Sequence, residues 1–209
     1  MGHVVLLGDS IFDNARYVPD RPAVIDQLRR TLPDGWLASL LAVDGHVAES
    51  IATQLLKLPR DATHLVVSAG GNDALGEIGL LDEPTSTVGE ALGLFHDAYG
   101  RFGQAYRQML QVLAAVGKPT VVCTIYDSIP DLGGPEQAAL AGFNALILRE
   151  AFAAGLPVID LRLVCGHRSD YSPLSSIEPS MVGGAKIARV IAEVVTTHEF
   201  NCRRSVIYS

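Results

Sequence analysis

The chain has 209 residues, 48% apolar and 19% charged. These are the fractions of a globular protein, and at about 150 residues per domain they predict one domain over residues 1–209. Sixteen basic against 23 acidic residues leave a net charge of -7, which excludes a basic nucleic-acid-binding face and a polybasic membrane anchor.

The first apolar run, residues 4–7, ends in Gly8 and predicts a buried strand. It is too short for a signal-peptide core, and no stretch reaches the roughly 18 apolar residues of a spanning helix. A cytoplasmic location without membrane insertion is therefore expected. Residues 22–32 predict a helix with Pro22 in its first turn. A strand over 36–43 and a helix over 46–58, stopped by Pro59, follow. His64–Ser68 is the third strand, ended by the glycines of SAGGND.

Residues 61–100 contain no Lys or Arg and seven acids, so this stretch alone carries -7 and the rest balances at 16 against 16. Such an acidic rim disfavours anionic substrates and suits a small neutral or cationic one. Residues 74–88, like 127–135, read as a lid. Residues 87–116 form the longest helical pattern, apolar at a 3.6-residue period and stopped at Gly117.

The β-branched run 120–125 suits the middle of a parallel sheet. A helix over 137–154 ending at Gly155, a strand over 158–161, a helix over 185–197 and a short edge strand over 205–208 complete the order. The segment 166–180, rich in Ser, Pro and charge, reads as the loosest part. Cys123, Cys165 and Cys202 are an odd set without CxxC, so neither a disulfide framework nor a zinc site is expected. No nucleotide-binding glycine motif is present, and neither cofactor nor metal is expected. A homo-oligomer is compatible with the sequence, which carries no code for one.

Strands alternating with helices predict an α/β fold: a three-layer sandwich with a central parallel sheet and helices on both faces. Ligands of such folds bind beyond the C-terminal strand ends. Polar residues gather there: Gly8-Asp9-Ser10, Asp44-Gly45-His46, Gly70-Gly71-Asn72-Asp73 and the 166–180 loop. A serine directly after a buried strand, at a sharp turn, has its Oγ lifted out of the sheet like a nucleophile elbow.

This set resembles the SGNH hydrolase superfamily, the GDSL esterases and lipases, with a flavodoxin-like arrangement. The first block is GDSIFDN, the second the glycine of DGHVAES, and the third GGND; the likeness runs from Val4 to about Val194. The resemblance implies Ser10 as nucleophile, and an oxyanion hole of the Ser10 and Gly45 N–H groups and the Asn72 amide. Three donors aimed at developing negative charge are the chemistry acyl transfer needs. Asp9 and Asp73 are expected to hold loops.

The last block departs from the family. Glu178 stands at the position of the general-base histidine and Ser175 at that of the orienting aspartate, ahead of Pro179 and Gly183. A free Glu, with a pKa about 2 units below His, is the weaker base unless burial raises it. Three readings follow for Glu178: base to Ser10, anchor of its loop, or ligand of substrate or a cation. His46 and His167 are the alternative proton acceptors. The expected activity is hydrolysis of a small acyl ester through a Ser10 acyl-enzyme. The alternatives are a binding protein that has lost its proton relay and an acyltransferase.

Overall fold

A computed structural model describes residues 1–19, 21–202 and 204–209. Its centre is a six-stranded parallel sheet: β1 (His3–Gly8), β2 (Leu37–Leu40), β3 (His64–Ser68), β4 (Thr120–Cys123), β5 (Val158–Ile159) and an edge strand over Ile207–Tyr208. The spatial order is β2-β1-β3-β4-β5 and then the edge strand. Chain direction across the sheet reverses at β1, so the crevice lies beyond the ends of β1 and β3.

The strand side chains alternate between two cores. Val4 and Leu6 of β1, Val66 of β3 and Val121 of β4 face one layer, with α1 (Val24–Thr31) and the last long helix, Met181–Thr197. Val5, Leu7, Leu65, Val67 and Val122 face the other. There they meet α2 (Ile51–Leu55), α4 (Val88–Val116) and α5 (Gly134–Ala154). Between β3 and α4 lies a short helix, α3 (Gly71–Gly76). After β5 comes α6 (Leu161–Val164), and α7 is the Met181–Thr197 helix. This is the expected α/β sandwich with a parallel sheet. No helix among the described residues is long and apolar enough to cross a membrane.

The predicted helix stops hold: Gly117 and Gly155 take φ of 68° and 69°, the left-handed cap that a Cβ disfavours. The ends of other elements differ. The helix predicted over 46–58 shrinks to α2 behind a 3-10 turn, Ala48–Ser50, whose first N–H, on Ala48, donates to Asp73 Oδ2 at 3.0 Å. The strand predicted over 36–43 ends at Leu40, where the chain turns into the loop that carries Gly45.

The segment 166–180 is not loose. It holds an antiparallel pair, β6 (Tyr171–Ser172) and β7 (Ser175–Pro179). Tyr126 Oη donates to the Ile177 carbonyl and Ser172 Oγ to the Tyr17 carbonyl, so tertiary partners order what local composition does not. Helix α7 starts earlier than expected because Ser180 caps it, accepting from Val182 and Gly183 N–H. Gly183 is obligatory: a Cβ there would stand 2.1 Å from the Asp170 carbonyl oxygen.

Candidate active site

The first sharp turn is built by Gly8. Its φ of 129° and the Ser68 carbonyl oxygen, 1.7 Å from where a Cβ would stand, admit only glycine. Gln54 clamps the turn, accepting from Gly8 N–H at 2.8 Å and donating to the Gly8 carbonyl at 2.7 Å. Nothing in the sequence marks Gln54, which looks like one polar position of an amphipathic helix. Ser10 follows two residues on, 7% exposed and lining a cleft of about 890 Å³, open solvent included.

The acids of the motif blocks serve backbone donors. Asp9 Oδ1 accepts from Ile11 N–H at 3.1 Å, Asp13 Oδ2 from Asp44 N–H at 3.0 Å, and Asp73 Oδ2 from Ala48 N–H. Loop-holding by Asp9 and Asp73 is as expected. These bonds tie three strand-end loops into one rigid rim.

Asn72 lines the cleft, and its Nδ2 donates to the His46 carbonyl at 2.9 Å. A primary amide has a second hydrogen to give a ligand. Gly45 takes φ of 83° in its turn. Among the described residues, the Ser10 and Gly45 N–H groups make no hydrogen bond to protein.

Glu178 lines the same cleft at the end of β7 and is 3% exposed. Burial pushes its carboxyl up to about 7, the nearby Ser10 hydroxyl favours the ionised form, and the Asp44 and Asp13 carboxylates add to the rise. The acids of 61–100 are not the cause; within that stretch, Asp73 acts on Asp9 instead. Oε2 of Glu178 has no hydrogen-bond partner. Asp9, also 3% exposed, is pushed to about 8, mainly by burial and further by the charge of Glu178.

The two candidate histidines lie elsewhere. His46 Nδ1 accepts from the Gln54 amide at 2.9 Å, and its ring is outside the cleft lining. His167 is exposed and outside that lining too, its backbone N–H held by Asp170 Oδ2 at 3.0 Å. Arg162 and Arg168 pair with Asp160 and Asp131. Asn14 closes the GDSIFDN block. Fully buried, it donates to the Pro179 carbonyl and accepts from Val24 N–H, each at 3.0 Å. It thereby fixes the residue next to Glu178 to the turn after Ser10.

The model of the GDSL-like Lipase/Acylhydrolase family matches residues 6–182. The chain belongs to this family. Membership assigns it ester-hydrolase chemistry in general. Comparison with curated proteins finds no match. Among solved structures, the lipase Lip_vut3 from a goat rumen metagenome is 17% identical with a TM-score of 0.73, over 94% of this chain and 98% of that one. The extracellular lipase of Streptomyces rimosus is 18% identical with a TM-score of 0.68, over 94% and 100%. An acetyl xylan esterase of Geobacillus stearothermophilus, in a W215I form, is 13% identical with a TM-score of 0.66, over 95% and 96%. At these identities the likeness is one of fold.

Proposed function

We propose that the chain is a serine ester hydrolase in which Glu178 does the work of the family's histidine. Ser10 Oγ attacks the acyl carbonyl while Glu178 takes its proton. Negative charge develops on the carbonyl oxygen, and the Ser10 and Gly45 N–H groups and the Asn72 amide stabilise it. The carbon–oxygen bond to the alcohol breaks, and Glu178 hands its proton to the leaving oxygen. Water then attacks the acyl-enzyme, Glu178 takes the water proton, and Ser10 recovers it as the acid departs.

The observation that carries this reading is geometric: Glu178 and Ser10, both buried, line one cleft, and that burial pushes the Glu178 carboxyl up to about 7. A base poised near the working pH is both sufficiently ionised and sufficiently basic, and tuned glutamates serve in this way. Gly45 lies outside the cleft lining, and its N–H joins the hole as its loop turns toward bound substrate. Among the described residues, the cleft lining holds Asp9, Glu77, Glu136 and Glu178 and no Lys, Arg or His, which favours an uncharged or cationic ester.

The test is hydrolysis of p-nitrophenyl esters by wild type, Ser10→Ala and Glu178→Gln. Both variants are expected to lose at least about a hundredfold in kcat/KM, the usual range for a general base or more. Wild-type rates equal to those of Ser10→Ala overturn the serine reading. Glu178→Gln at full rate overturns the glutamate base.

A further inference from the structure

We propose that the cleft beside Ser10 is an acyl pouch that selects an uncharged chain of butyryl length or longer over an acetyl group. This rests on the Ser10 reading and narrows it, replacing the small acyl group expected from sequence. The cleft has two chemically different parts. Asp9, Ser10, Asn72 and Glu178 cluster where β1, β3 and β7 end. The remaining wall is almost wholly aliphatic and aromatic: Leu75 and Ile78 from α3 and the turn after it, Phe95 from α4, Leu132 before α5, and Leu140 and Phe143 on it.

An acetyl group leaves that wall against water. Leu75 and Ile78 are 40% and 50% exposed although they line the cleft, so a longer chain has apolar area there to cover. Phe143 is 1% exposed and packs against Phe102 and Tyr99, so the wall it belongs to is backed by solid core. Each methylene moved from water to such a wall is worth about 0.8 kcal/mol, or about fourfold in kcat/KM.

Charge sets the second half of the selection. Glu136 stands one helical turn from Leu140 on the same face of α5, lines the cleft, and has an Oε2 that is shielded and unpartnered. Asp9 and Glu178 are pushed toward their neutral forms and Glu77 is paired to Arg101, so Glu136 is the carboxylate that repels a chain ending in a carboxylate, and no cationic side chain lines the cleft among the described residues to offset it. The occupant is thus a plain alkanoyl chain, not a dicarboxylic half-ester.

The experiment is a series of p-nitrophenyl alkanoates from acetate to dodecanoate on the intact chain, with the suberate half-ester as the charged counterpart of octanoate. The expected result is about a fourfold rise in kcat/KM per methylene until the pouch fills. The half-ester should be at least tenfold worse than octanoate. Ala139→Trp, which fills the cleft from α5, should cut the octanoate-to-acetate ratio at least tenfold. Acetate turned over as fast as octanoate, by an activity that Ser10→Ala abolishes, overturns the pouch and leaves the serine reading standing. If no ester is turned over above Ser10→Ala, the serine reading fails, and calorimetric binding of methyl ketones decides the pouch. Tighter binding of 2-decanone than 2-butanone supports it, and equal binding overturns it.

Discussion

Asp9 and Glu178 are two buried carboxyls in one cleft, and their proton affinities are coupled. Burial raises both, and the charge on Glu178 raises Asp9 further, so ionising both is the costly state. In the proposed mechanism, a protonated Asp9 adds no further negative charge beside Glu178, which leaves Glu178 free to ionise and serve as base. The same shifts bear on stability. Folded values of about 8 and about 7, against ordinary values near 4, mean that the folded state holds more protons across that window. These groups' contribution is fully present below about pH 4 and is lost as pH rises through 7 and 8. Asp9→Asn keeps an acceptor for Ile11 N–H and removes one titration. Its melting temperature should fall less than that of wild type between about pH 5 and about pH 8. Parallel melting curves over that range would contradict the coupling.

At the scale of elements, the site is where three strand-end loops and the β6–β7 pair meet. Asn14 joins two of these, binding Val24 N–H ten residues on and the Pro179 carbonyl 165 residues on. Asn14→Ala leaves a buried donor and a buried acceptor unpaired, at a cost of about 1–3 kcal/mol each. Urea unfolding should read that loss, and kcat should drop with it as Pro179 loosens beside Glu178. Unchanged stability would mean the bonds are not formed in solution.

Asn14 also marks where sequence reading stops. The strand–helix alternation was legible because buried parallel strands are unbroken β-branched runs such as 120–123. That Ser10, Asn72 and Glu178 share one cleft was legible because each sits at the end of such a run or in a spaced motif. The order of 166–180 was not, since its partners Tyr126, Tyr17 and Asn14 lie far away in the chain. Gln54 was hidden for the same reason, its task being a backbone 46 residues earlier. The apolar cleft was invisible too, because its wall is assembled from α3, α4, α5 and β7, and no one stretch shows it.

For the whole molecule, the sheet order β2-β1-β3 brings the first and third motif blocks to one crevice. Of the acids in 61–100, Asp61 precedes β3 and pairs with His3, while the other six lie from α3 to the first half of α4; of these Glu77 lines the cleft, paired to Arg101 at 2.8 Å. The proton affinity of Glu178 is set locally, mainly by burial and further by Asp44 and Asp13. In the proposed mechanism Glu178 therefore activates Ser10 through its immediate surroundings. The most direct measurement is the rate at which a fluorophosphonate labels Ser10 as a function of pH, with the adduct located by mass spectrometry. The rate should be low when Glu178 is protonated, rise through about 7 and level off above it, with Glu178→Gln slow and without that inflection. No adduct on Ser10, or the same pH curve in Glu178→Gln as in wild type, would contradict it.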